Sequence, residues 1–125
     1  MIKKQIISFK YALEGFYWVL KTQRNFQISV ILSILSLGFG WYFQVSYGEL
    51  LIILVLIFIG LAIETINTAI EETIDALHKD RTEEIKIAKD VSAAAMFIFS
   101  IGAFIIACMI FLPRISQLII LNFKF

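Results

Sequence analysis

Cysteine is nearly absent from this chain. Cys108 is the only one in 125 residues, so no disulfide can form within it. It lies in an apolar run and reads as a small packing residue. Histidine is equally scarce: His78 stands alone in a charged segment, which supplies neither a zinc-ligand spacing nor a Ser-His-Asp set. No G-x-x-x-x-G-K-S/T loop is present, which excludes a P-loop nucleotide site. One proline and six glycines exclude a linker-rich or disordered chain. The net charge is only +1, so no broad basic field attracts nucleic acid. A cleavable signal peptide is not expected either. Lys3 and Lys4 resemble its charged start, but Lys10 and Glu14 break the apolar run that must follow. The first long hydrophobic span is expected to act as its own membrane signal.

What is abundant is apolar: 60% of the residues are hydrophobic, too many for an ordinary soluble domain. The chain is also too short for two domains, so residues 1–125 read as one. A helix needs about 20 mostly apolar residues to cross a bilayer. Segments 26–45, 50–69 and 91–113 meet that requirement, and Glu64 is the single charge among them. The break "QVSYGE" predicts a tight turn, and "ALHKDRTEEIKIAKD" a longer charged connection. Residues 1–24 differ. Ile6, Phe9, Leu13, Phe16 and Leu20 recur at three-and-four spacing, one stripe of a helix. With Lys3, Lys10, Glu14 and Lys21 beside or opposite that stripe, and Tyr17 and Trp18 suited to headgroups, the segment predicts a helix lying in the interface plane. The competing reading is an amphipathic helix docked on another domain. The expected fold is therefore an all-α membrane protein of three spans and one surface helix.

Lysine and arginine set the orientation. Lys3, Lys4, Lys10, Lys21, Arg24, Lys79, Arg81, Lys86 and Lys89 fall on one side, and Arg114 and Lys124 on the other. The crowded side should be cytoplasmic, with the amino terminus inside and the carboxyl terminus outside.

The end of the second span carries the chemistry. At about 100° per residue, with Glu64 at zero, Asn67 falls at about −60°, Glu71 at about −20° and Asp75 at about +20°. Four polar groups thus share one narrow face. Glu64 lies about 7 Å inside the cytoplasmic end of its span, and Glu71 and Asp75 lie just beyond that end. A charge at bilayer depth costs about 2.5–3.5 kcal/mol even on lenient scales, so it needs a partner or a role. A lysine contact would explain Glu64 by itself; four aligned groups ask for more. The third span opens on Lys89 and Asp90 at the same interface. Carboxylates and a lysine converging where bilayer meets ATP-containing water suit phosphoryl transfer to a lipid hydroxyl. That reaction needs a base, a cation between phosphates and a positive charge on the γ-phosphate. Magnesium takes such oxygen ligands. A small transporter or an oligomeric scaffold is the other class, but a transporter would put its acid near mid-bilayer.

"ETINTAIEETID" resembles the signature E-x-x-N-S/T-A-I/V-E-x-x-I/V-D of the small bacterial membrane lipid kinases, which include diacylglycerol and undecaprenol kinases. "SFKYALEG" from Ser8, "QRNFQI" from Gln23, "AKDVSAAA" from Ala88 and "FLPRI" extend the likeness in order along nearly the whole chain. The resemblance implies a homotrimer in the bacterial inner membrane, with sites shared between neighbouring subunits. It implies Glu64 as the general base, Glu71 as a magnesium ligand, and Asn67 and Asp75 as supports for nucleotide and metal. Lys89 and Asp90 are implied as ATP contacts, with Tyr11 a looser match on the nucleotide side. One position departs: the family carries an acidic metal ligand where this chain has Gln23. An amide oxygen can still ligate a hard cation, but without the charge. The flanking pieces look closer to the undecaprenol branch, with diacylglycerol the other candidate lipid.

Overall fold

A computed structural model describes residues 2–80 and 82–122. Of the charges that set the orientation, Arg81 and Lys124 lie outside the described residues, as do the side chains of Lys3 and Lys4. The described chain forms four helices: α1 Ile2–Thr22, α2 Arg24–Tyr42, α3 Tyr47–Leu77 and α4 Glu83–Asn122. The last three are each long and apolar enough to cross a membrane.

The joints follow from local chemistry. Gln23 alone separates α1 from α2, in an extended conformation at φ −98° and ψ 110°. The last carbonyls of α1 would be orphaned there. Gln27, one turn into α2, reaches back and donates its Nε2 to Leu20 O at 3.0 Å and Lys21 O at 3.3 Å. After α2 the chain closes a Schellman motif: Val45 N donates to Gly40 O at 3.0 Å and Gln44 N to Trp41 O at 3.2 Å. Gln44 takes the left-handed conformation that this motif demands, at φ 50°. This turn ends α2 three residues before the expected limit of 45. Ser46 and Glu49 then start α3 with a capping box, Ser46 N donating to Glu49 Oε2 at 2.7 Å and Glu49 N to Ser46 Oγ at 3.3 Å.

The charged connection after α3 is shorter than expected. Among the described residues, 78–80 and 82 are non-helical between α3 and α4. Thr82 accepts from Ile85 N through its hydroxyl at 3.5 Å, and Glu83 and Glu84 occupy the first turn of α4, where carboxylates complement the helix dipole. A charge-rich segment thus contains its own helix start. Lys89 and Asp90 consequently sit on a helix, about two turns inside its beginning. At the other end α4 runs through Pro113 to Asn122, beyond the expected 113.

α3 is the central element and packs against the other three helices. Its antiparallel contact with α4 is marked by pairs that step along the two helices. Asp75 meets Lys89, Asn67 meets Ser92, Gly60 meets Phe99 and Glu49 meets Arg114. The last is a two-pronged ion pair, Arg114 Nη1 donating to Glu49 Oε1 at 2.9 Å and Nη2 to Oε2 at 2.7 Å. It ties α4 to the same carboxylate that caps α3.

Few apolar side chains are buried. Val19, Phe26, Ile53 and Ile110 form that set among the described residues, Phe26 standing edge-on to Phe16 with ring centroids 5.7 Å apart. Large side chains along the long helices, among them Phe58, Ile98 and Phe104, face outward. Such a surface belongs in hydrocarbon, where helices are stable because their backbone groups are satisfied internally. On α1, Ile6, Phe9 and Leu13 are also exposed, so the described chain covers the stripe only toward its end, where Phe16 meets Phe26.

Gly60 leaves room for Phe99 of α4 against the backbone of α3. A Cβ placed there would lie 2.6 Å from Phe99 Cε1. Gly60→Val should therefore cost about 1–3 kcal/mol through overpacking. Unfolding in a mixed detergent should show that loss, with partial recovery in Gly60→Val/Phe99→Ala.

Candidate active site

α3 runs unbroken through the stretch that holds Glu64, Asn67, Glu71 and Asp75. A single helix therefore keeps the four on one face. Glu64 is 4% exposed and Asn67 8%, whereas Glu71 is half-buried and Asp75 exposed. Coverage by the rest of the chain thus falls along the stripe from Glu64 to Asp75.

Asn67 is the node of the site. Its Nδ2 donates to Glu71 Oε1 at 3.0 Å, and its Oδ1 accepts from Ser92 Oγ at 2.7 Å. One turn further out, Lys89 Nζ pairs with Asp75 Oδ1 at 2.5 Å. Lysine thus finds Asp75 rather than Glu64. Among the described residues Glu64 has no ion-pair partner, so a lysine contact does not account for it.

Gln23, at the joint between α1 and α2, donates its Nε2 to Glu72 Oε1 at 3.4 Å. It therefore stands beside α3, but its hydrogen bond goes to Glu72 and not to Glu71. Asp90 is exposed on α4 and Tyr11 exposed on α1; neither has a hydrogen bond to the stripe among the described residues. The structure thus pairs Asn67 with Glu71 and Asp75 with Lys89, brings Gln23 alongside, and leaves Tyr11 and Asp90 apart. Two residues in this network escape a reading by helix periodicity, Ser92 and Glu72. Ser92 did leave a signal: it follows Lys89 by three positions and so shares its face of α4.

The donor set fits a hard cation in kind. Glu71 offers a carboxylate at the boundary and Gln23 an amide oxygen, both suited to magnesium. Among the described residues no cluster of three or more His, Cys, Asp or Glu could hold a metal by itself.

Residues 10–111 match the family model described as prokaryotic diacylglycerol kinase. The chain belongs to this family. The matched segment contains the whole stripe, Gln23, Tyr11, Lys89 and Asp90. Among relatives, undecaprenol kinase of Bacillus subtilis (strain 168) is 35% identical over 108 residues, spanning 86% of this chain and 88% of that protein. Diacylglycerol kinase of Pseudomonas aeruginosa is 29% identical over 97 residues, spanning 78% and 79%. Diacylglycerol kinase of Synechocystis is 27% identical over 116 residues, spanning 92% and 66%. The chain is a membrane lipid kinase.

The hydrogen bonds of the kinase separate structural from exposed roles. Asn67→Leu strips partners from Ser92 and Glu71 in a water-poor place and should cost about 1–3 kcal/mol. The Asp75 side chain is 62% exposed, so its ion pair is screened and Asp75→Asn should cost less than about 1 kcal/mol. Reversible unfolding of both variants in lipid-detergent mixtures checks the contrast.

Proposed function

We propose that the kinase transfers the γ-phosphoryl group of ATP to the hydroxyl of undecaprenol, yielding undecaprenyl phosphate. The observation that carries a lipid-hydroxyl acceptor is Glu64, a buried carboxylate on the same face as Asn67 and Glu71 and deeper than both. A base in that position meets a hydroxyl held at the membrane surface, while the outer groups meet a nucleotide that stays in water. Undecaprenol is favoured by the 35% identity to the undecaprenol kinase and by the flanking sequence pieces. Diacylglycerol, giving phosphatidic acid, is the second reading, from the names of the other relatives.

In this reading Glu64 accepts the proton of the lipid hydroxyl as its oxygen attacks phosphorus. Lys89 turns from Asp75 toward the phosphates, and Asp90 and Tyr11 contact the nucleotide. Asn67 holds Glu71, and Asp75 supports the metal side. Glu71 and Gln23 would hold magnesium, which when bound would offset phosphate charge. The amino terminus lies in the cytoplasm and the carboxyl terminus outside, by the lysine and arginine distribution. The membrane is the bacterial inner membrane, and α1 lies along its surface. The kinase acts as a homotrimer with shared sites. Exposed Ala93, Ala94 and Ala95 on α4 allow the close helix contact that an oligomer needs.

Radiolabelled ATP offered to the purified kinase with undecaprenol and diacylglycerol together tests the substrate. Label should enter undecaprenol preferentially; preference for diacylglycerol overturns the first reading. Glu64→Gln should lower turnover about 10²–10⁴-fold with ATP binding retained. Near-normal turnover in that variant would move the base elsewhere, Asp90 first. Gln23→Glu would set a carboxylate against Glu72 and add charge to the cation site. It should lower the magnesium needed for half-maximal rate by roughly five-fold, a modest effect because the position is near water and screened. Coincident magnesium titrations for the two proteins would remove any role for charge at that position.

A further inference from the structure

Hydroxyls on membrane helices usually return to their own backbone. Most hydroxyls on the long helices here do so. Ser33 donates to Ser29 O, Thr65 to Leu61 O, Thr73 to Ala69 O and Ser100 to Met96 O, at 2.7–2.8 Å. Ser92 departs from this pattern. Its Oγ leaves α4 and donates to Asn67 Oδ1 on α3 at 2.7 Å. Both residues are buried, Ser92 at 9% exposure and Asn67 at 8%, so water is a poor substitute for either.

The direction of that bond matters. Asn67 has one carbonyl oxygen and one NH₂ group, and its terminal torsion is broad and roughly two-fold. Glu71 Oε1 accepts and so takes the NH₂ side, and Ser92, donating to the oxygen that then faces α4, holds that orientation in place. The NH₂ group must then face the other way, where it donates to Glu71 Oε1 at 3.0 Å. Glu71 thereby has one carboxylate oxygen engaged within the protein. Lys89, on the same face of α4, grips Asp75 one turn further out. The outer half of the stripe is thus oriented from α4.

We propose that Ser92 is a positioning residue for the Glu71 carboxylate, acting through the Asn67 amide. It sets the orientation in which Glu71 receives a divalent cation. This rests on the reading of Glu71 as a metal ligand. It adds a residue two hydrogen bonds away that touches neither metal nor nucleotide. Outer-shell partners of this kind typically change metal affinity by about 10–100-fold when removed. The alternative is that Ser92 only fastens α3 to α4.

Mn²⁺ binding separates the two. Free Mn²⁺ is measured by electron paramagnetic resonance with the full-length kinase in lipid and a β,γ-methylene analogue of ATP, so no turnover is required. Ser92→Ala should weaken Mn²⁺ binding by about 10-fold, and Ser92→Thr, which keeps the hydroxyl, should restore it to within about two-fold. Ser92→Cys keeps the volume with a weak donor and should follow Ser92→Ala, which covers the case in which the alanine variant fails to fold. In a Glu71→Gln background Ser92→Ala should add no further loss. If Ser92→Ala and Ser92→Cys lower thermal stability but leave Mn²⁺ affinity unchanged while Glu71→Gln weakens it, Ser92 is only a fastener and the proposal falls. If Glu71→Gln itself leaves Mn²⁺ affinity unchanged, the metal assignment fails, and the role of Ser92 toward it fails with it.

Discussion

Keeping Glu64 inside the end of a membrane helix costs about 2.5–3.5 kcal/mol on insertion scales, and the rest of the site depends on how α3 and α4 accommodate it. The two helices do so by fixing their register with unlike contacts. At one end Arg114 clasps Glu49. In the middle Phe99 lies on the bare backbone of Gly60. At the other end Ser92 reaches Asn67, and Lys89 reaches Asp75. A helix pair in lipid gains little from the hydrophobic effect, because lipid tails are as apolar as the side chains. Close packing and polar contacts must therefore set the register. A slip by one turn, about 5.4 Å, would take Ser92 from Asn67 and Lys89 from Asp75 together.

Within one helix the sequence was highly legible. The rotation per residue is constant, so Glu64, Asn67, Glu71 and Asp75 fall on one face by arithmetic, and α3 carries them without interruption. The three apolar spans were legible for a similar reason, since length and hydropathy are properties of each segment alone. Contacts between helices were not. Ser92 stands just before three alanines, and nothing about it as a letter shows that its hydroxyl leaves its own helix. Glu72 lies off the face of the four aligned groups and drew no attention, yet it is the residue that Gln23 meets. The segment 76–90 read as a charged connection because charge was weighed before capping. Thr82 followed by two glutamates is a helix start, and α4 begins there.

The departure at Gln23 now has a physical setting. An acid at this joint would face Glu72 across a short gap, and the two would repel unless a cation lay between them. Gln23 instead donates to Glu72 and calms the pair without a metal. At the hinge from which α1 leaves α2, Glu72 therefore meets a neutral amide rather than a second carboxylate. That hinge is braced twice, by Gln27 on the end of α1 and by Phe16 against Phe26. The angle of α1, and with it the position of Tyr11, depends on these contacts.

The central claim is that the bilayer boundary crosses α3 within the polar stripe, with Glu64 on the hydrocarbon side and Asp75 in water. Spin labels at Ala62, Ile66, Thr73 and Leu77 on α3, in a Cys108→Ala background reconstituted in vesicles, measure this directly. Each label's collision rates with oxygen and with a water-soluble nickel chelate give its depth. Oxygen should dominate at Ala62 and the nickel chelate at Thr73 and Leu77, with the crossover between Ile66 and Thr73. Oxygen dominance persisting through Leu77 would bury the entire stripe in hydrocarbon and contradict an active site that meets nucleotide from water.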